Sequence, residues 1–318
     1  MGVHYQECRM SQVDLSQPLW MLLIFVALGW LCARRLAVDP RPIATLLIYL
    51  IAPLTFFRGL YLGEPSPALL GLTAGMFALA SLLCLATHAV VRRYFAPQEA
   101  ALLAFSAGTG NTGYFGLPLA MALLPPEGVA AYLFCLLGVT LFEFSVGFYI
   151  SARGQFSVRE SLGKITRLPL LYAFIAALLA YHLPWSVPGA VIEGLDYFRA
   201  SYTVLGMMII GMTLGGVSMR AFDGRFLGIC IAARYVMWPL VMLGLVLVLQ
   251  ATMGISATLA GALLLLGVVP MAANVVVIAM ELNIRPAKGA IAVLLTTVAA
   301  PLIIPPYLDL LWRIAGLG

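Results

Sequence analysis

Residues 107–118 read Ala-Gly-Thr-Gly-Asn-Thr-Gly-Tyr-Phe-Gly-Leu-Pro, and they interrupt an apolar stretch that is otherwise long enough to cross a membrane. Gly108, Gly110, Gly113, Gly116, Asn111 and Pro118 are poor material for a continuous helix. A second interruption, residues 269–274, reads Val-Pro-Met-Ala-Ala-Asn inside another apolar stretch. Unwound backbone at membrane depth survives only where protein or a wet cavity satisfies its N–H and C=O groups.

The rest of the chain agrees with a lipid solvent. Of 318 residues, 63% are hydrophobic and 10% charged, with a mean hydropathy of +1.02. A soluble surface needs about 25% charged residues. The net charge of +5 does not mark a nucleic-acid stripe, because the basic residues sit in short loops between apolar runs. Cys8, Cys32, Cys84, Cys135 and Cys230 are scattered, so neither a disulfide framework nor a metal site is expected. No myristoylation signal and no cleavable leader is read at the start, which makes the first apolar run a retained helix.

Ten spans of roughly 20 apolar residues, the length a ~30 Å hydrocarbon core requires, can be drawn. They cover 15–33, 43–61, 69–91, 98–124 (interrupted at 108–118), 128–151, 168–183, 200–217, 226–250, 256–282 (interrupted at 270–274) and 286–311. A short amphipathic stretch, 187–199, is expected at the membrane interface before the seventh span. Thirteen of the 18 basic residues fall in alternate loops: Arg34, Arg35, Arg41, Arg92, Arg93, Arg153, Arg159, Lys164, Arg167, Arg220, Arg225, Arg285 and Lys288. By the positive-inside rule these loops are cytoplasmic and both termini lie outside.

The basic loop 152–167 divides the chain into two blocks of five spans. The expected organisation is an outer segment 1–17, a first repeat 18–151, a cytoplasmic linker 152–167 and a second repeat 168–318. An odd number of spans inverts the second block relative to the first, and the fourth span of each block is the broken one. Matched broken helices in inverted repeats point to a secondary transporter with a site near the midplane. Each break exposes the positive N-terminal end of a following half-helix, a ready place for an anion. Asn111 and Asn274 stand at comparable positions and add neutral amide donors for a carboxylate.

The runs GTGNTGYFGLPLA and PMAANVVVIAMELNIRP, with the later PLIIPP, resemble the two crossovers of the auxin efflux carrier family. That family includes bacterial malonate permeases and relatives of the plant auxin carriers, and the likeness covers nearly the whole chain. It implies secondary transport of organic anions by an elevator-like movement, with spans 1, 2, 6 and 7 as scaffold and spans 3–5 and 8–10 as the moving bundle. It matches Asn111 to the family's substrate-contacting asparagine, and Pro118 and Pro270 to its crossover prolines. The short loop between spans 5 and 6 resembles the bacterial members and makes auxin itself an unsafe substrate. Met280 stands where the family often has a basic residue.

The expected fold is thus an all-α membrane protein with ten transmembrane helices as two inverted five-helix repeats. Its substrate site is expected from Gly110, Asn111, Thr112, Gly113, Tyr114 and Pro118 of the first break and Pro270, Met271, Ala273 and Asn274 of the second. Arg234, inside span 8, is a candidate second contact, since a membrane-centred charge costs roughly 2.5–3.5 kcal/mol without a partner. Glu143, near the middle of span 5, is open to three roles: pairing with Arg234, carrying a coupled proton, or staying neutral throughout. His88 and Arg58 read as interfacial residues, and Trp20, Trp30, Trp185 and Trp312 as an interface belt. The Gly211–Gly215 pair fits small-residue helix packing, either between two protomers or within one chain.

The functional expectation is a carrier of small organic anions, malonate-like or other carboxylates, in a bacterial inner membrane. No cofactor is called for, and H+ or Na+ is the open choice of coupling ion. The partners expected are the anion, the bilayer and, through the glycine pair, a second protomer. A sodium-coupled carrier of the bile-acid-symporter type is the alternative. A channel or a non-transporting sensor ranks lower, and no HExxH, GxSxG or paired aspartates suggest an enzyme.

Overall fold

A computed structural model describes residues 16–63, 66–152, 169–184, 186–215 and 221–317. The expected linker 152–167, the outer segment before Ser16, and Trp185 lie wholly or largely outside the described residues. Among those described, the chain is helical and contains no strand. The helices are α1 (Ser16–Arg35), α2 (Pro40–Leu62), α3 (Pro67–Val91), α4 (Pro97–Gly108), α5 (Leu117–Leu123) and α6 (Pro126–Ala152). They continue as α7 (Pro169–His182), α8 (Gly189–Leu214), α9 (Gly224–Met253), α10 (Ala257–Val268), α11 (Asn274–Glu281) and α12 (Pro286–Ile314). Proline opens α2, α3, α4, α6, α7 and α12, where its missing N–H costs nothing. Asp39 also caps the first turn of α2 with a side-chain oxygen, and Asp223 and Ser256 cap those of α9 and α10.

Among the described residues, five helices (α2, α3, α6, α9 and α12) are long and apolar enough to cross a membrane, and α7 and α10 are shorter apolar helices. Large apolar side chains such as Trp20, Trp30, Leu82, Leu179, Leu240 and Leu302 cover the outside. In contrast, residues 100–108 of α4 and 260–268 of α10 are buried without a break. A helix apolar all round belongs inside a bundle, and these two half-helices form its centre.

Two groups of helices surround them. In one, α1 lies along α8, and α2 packs on α7 and α8. In the other, α3 packs on α4 and α6, α9 on α10, and α12 on α10 and α11. The glycine pair of α8 is used within the chain. A side chain on Gly211 would run into the Val26 carbonyl of α1, and one on Gly29 of α1 into the Met208 carbonyl of α8. Gly211→Ala should therefore destabilise the protein by about 1–3 kcal/mol through overpacking, read as a lower melting temperature in detergent. A parental melt would mean that α1 can move away freely.

Three expectations change. The stretch 187–199 is not separate from the span that follows: from Gly189 on it is the first part of α8, which runs 26 residues. No proline interrupts it, and its polar Asp196 is paired by Arg58 at 2.8 Å. Arg58 is accordingly an ion-pair residue between α2 and α8, and not a lone anchor. Trp312 is buried, unlike Trp20 and Trp30, and does not belong to an exposed belt.

At one end of the bundle, Lys288 of α12 bonds Glu99 of α4 and Asp223 ahead of α9, each at 2.6 Å, and Arg285 lies 3.6 Å from Glu99. Three loops expected on one side of the membrane therefore meet. The Lys288 ammonium and two backbone amides hold the Asp223 carboxyl below the ordinary aspartate value of 3.8. A depressed carboxyl adds stability above its unfolded value and loses it as pH falls through the folded one. The melting temperature should thus fall on acidification below about pH 4, and Lys288→Met, already lower at neutral pH, should lose less over that window. A loss as large in the variant as in the parent would count against this linkage.

Candidate functional site

The first break is shorter than its glycines suggest. Helix α4 ends at Gly108, and a π-helical turn (Thr112–Gly116) resumes directly into α5. Asn111 makes this restart possible, its side-chain oxygen accepting from the Phe115 N–H at 3.2 Å and its carbonyl from the Gly116 N–H at 2.9 Å. The two breaks are joined through the backbone, as the Asn111 N–H donates to the Pro270 carbonyl at 2.8 Å. Met271, fully buried, donates its N–H to Thr296 Oγ1 at 3.3 Å.

None of the four glycines of the break has a positive φ. They are required for space. A side chain at Gly110 would place its first carbon 2.5 Å from the Arg234 guanidinium, and one at Gly113 would lie 2.7 Å from the Tyr202 hydroxyl. Gly108 and Gly116 face Phe142 and the Tyr132 hydroxyl at still shorter range. Tyr132 donates to the Thr112 carbonyl at 3.0 Å.

Arg234 is wholly buried, and its donors are engaged by protein. Nε and Nη2 donate to the Val269 carbonyl at 3.1 and 2.7 Å, and Nη1 to the Thr109 carbonyl at 3.4 Å. Those carbonyls close the C-terminal ends of α10 and α4, where the negative ends of two helix dipoles converge. The guanidinium lies 5.1 Å from the Trp238 ring centre, and Trp238 Nε1 donates to the Ala107 carbonyl at 2.7 Å. Arg234 therefore clamps the crossover from behind. It does not line the cavities described below, and it makes no ion pair with Glu143.

Glu143 bridges the breaks from the other side. One carboxylate oxygen accepts from Thr109 Oγ1, and the other from Asn274 Nδ2 at 2.7 Å. One of the two N–H donors of the Asn274 amide, expected to meet a ligand, is thus given to the protein's own carboxylate. The N–H groups of residues 275–277 bond back to the carbonyls of Ala272 and Ala273, much as those of Thr112, Phe115 and Gly116 are engaged at the first half-helix end. Both charged residues sit in π-helical turns, Glu143–Gly147 in α6 and Ala233–Met237 in α9, a departure from regular helix frequent at functional sites.

A cavity of about 110 Å3 opens at the crossing. Gly110, Asn111, Thr112, Gly113, Tyr114, Glu143, Ala273 and Asn274 line it, together with Thr140 and Tyr202. A second cavity of about 220 Å3 adjoins it, sharing Tyr114, Glu143, Ala273 and Asn274, with Ile209, Ile210 and Val276 in its walls. The Nδ2 of Asn111 is buried and has no hydrogen-bond partner. A buried amide donor without a partner is rare and marks a place for a ligand or water. Pro118 lies elsewhere, lining a separate cleft against Met21 and Phe25 of α1. Pro270 contributes through its carbonyl, and neither it nor Met271 faces the cavity.

Tyr202, which the sequence does not single out, completes the wall. Its ring centre lies 5.6 Å from that of Tyr114 and 6.3 Å from that of Phe56. The available signal was chemical, since a tyrosine hydroxyl inside an apolar helix needs a polar neighbour. Nothing in the neighbouring residues shows which one.

No protein-family model matches the chain. Over 135 residues it is 27% identical to a protein of Methanocaldococcus jannaschii described as an uncharacterized transporter, the match covering 41% of this chain and 43% of that protein. The match therefore spans less than half the length of that relative. The apolar helices and this likeness together make the chain a multi-pass membrane protein with a transporter-like sequence.

Proposed function

We propose that the chain is a secondary transporter of small carboxylates, organised as the auxin efflux carrier resemblance implies. The observation that carries this is the buried, unpartnered Asn111 Nδ2 at the head of a restarted helix, on a residue that lines a cavity between two helix groups. A carboxylate oxygen there would gain an amide hydrogen bond and the positive end of the helix from Thr112 onward. The walls also support alternating access. Ile48, Ala52 and Phe56 of α2, Leu170 of α7 and Tyr202 of α8 face the two breaks and Leu136, Thr140, Glu143 and Phe144 of α6. With α1, α2, α7 and α8 as scaffold and α3–α6 with α9–α12 as moving bundle, sliding one group along the other would expose the site to either side.

In this reading the ten spans form inverted repeats in a bacterial inner membrane, with the Lys288 cluster cytoplasmic and the Arg58–Asp196 pair and both termini outside. All cavity walls come from one chain, so a homodimer would not be needed to complete the site. Labelled carboxylate should accumulate in proteoliposomes preloaded with the same unlabelled compound. Absence of such counterflow for every mono- and dicarboxylate tried would sink the carrier assignment, since channels and sensors show none. One observation favours a second reading, a sodium-coupled carrier of the bile-acid-symporter type: among the described residues, the buried Glu143 has no cationic partner. Uptake that needs sodium would select it.

A further inference from the structure

The chamber pairs two unmet requirements of opposite sign. Asn111 Nδ2 is a buried donor without an acceptor. Glu143 is a buried carboxylate whose two hydrogen bonds come from neutral groups, Thr109 and Asn274, leaving further lone pairs on a residue that lines the cavity. Among the described residues, neither cavity is lined by a lysine, arginine or histidine, because Arg234 is held on carbonyls behind the crossing. The remaining walls are apolar and aromatic. Phe56, Tyr202 and Tyr114 form a continuous ring cluster on one side, and Ile209, Ile210 and Val276 line the adjoining cavity.

Given the carboxylate-carrier reading above, on which this rests, we propose that the substrate is a zwitterion: an ammonium-bearing carboxylate with an apolar side chain. Its carboxylate meets Asn111 Nδ2, its ammonium meets Glu143 beside the aromatic rings, and its side chain enters the adjoining apolar cavity. Aromatic faces beside a carboxylate favour a cation, and a charged group is admitted to a buried site when its charge is paired there. A malonate-like dicarboxylate fits less well. Its second negative group would face the Glu143 carboxylate.

The test uses the full-length protein in nanodiscs and matched ligands. Binding of L-leucine, 4-methylpentanoate (the same skeleton without the amine), 3-methylbutylamine (without the carboxylate) and malonate is measured by thermal shift, with and without sodium. Phenylalanine and 3-phenylpropanoate repeat the comparison. The amino acids should bind at least tenfold more tightly than their deaminated or decarboxylated partners, with or without sodium. Glu143→Gln should remove that advantage while leaving 4-methylpentanoate unchanged or tighter. If 4-methylpentanoate or malonate binds as well as leucine, alone or once sodium is added, the zwitterion is wrong and the carboxylate carrier stands. If no carboxylate of any kind shifts the melt, both readings fall. The wild-type comparison decides the matter even where the variant does not fold.

Discussion

Arg234→Ala should cost roughly 3–5 kcal/mol of stability, the largest effect of any single substitution considered for this chain. The variant leaves the Val269 and Thr109 carbonyls without their donors, empties a fully buried site beside Trp238, and removes the one cation at two converging helix C-termini. Each buried carbonyl left unsatisfied costs about 1–3 kcal/mol, and the lost volume adds to it. The measurement is the melting temperature of purified protein. Arg234→Lys should fall between parent and alanine, since an ammonium restores the charge but cannot bridge both carbonyls from a planar fork. A second variant makes the mechanism specific. Gly110→Ala places a methyl 2.5 Å from the guanidinium carbon, so it should destabilise the parent and be much better tolerated beside Arg234→Ala. Strictly additive losses would mean that the two residues do not share this contact.

The second large effect is on binding. Asn111→Ala removes two things at once, a cap on the Phe115 N–H and the orphan donor in the cavity. The first is worth about 1 kcal/mol of stability. The second, a hydrogen bond to a charged ligand, is worth about 1.5–3 kcal/mol, or roughly 10–150-fold in affinity. Asn111→Asp separates them, because its carboxylate still accepts from Phe115 but has no amide to offer and repels an anion. It should regain much of the parental melting temperature and none of the binding. Parental affinity in both variants, measured by ligand-induced thermal shift, would remove Asn111 from the site.

These two residues also show how far the amino-acid sequence could be followed. Asn111 was legible because its neighbours announced it: glycine on both sides, proline beyond, and an apolar stretch too long to be broken without cause. Asn274 was legible through Pro270 and its match to Asn111 in the other block, yet one of its amide hydrogens goes to Glu143, which lies 131 positions away. Arg234 was visible as a costly buried charge, but a charge inside a span does not name its partner. Its partners prove to be backbone carbonyls, and backbone carbonyls leave no trace in residue type.

By itself the sequence determined that the chain is a multi-pass helical membrane protein, where most of its described helices run, and where two of them break. All three follow from local chemistry: apolar run length, proline at helix starts, and small residues that cannot hold a regular turn. Only the tertiary structure decided what the breaks are for. Their glycines make room for Arg234, Tyr202, Tyr132 and Phe142 and adopt no unusual backbone, and one asparagine restarts the helix within three residues of its end. It also decided that Glu143 and Arg234, the buried charges among the described residues, take separate partners and form no ion pair. Buried polar groups take whichever partners the packing of distant helices delivers. No spacing within either span could carry that information.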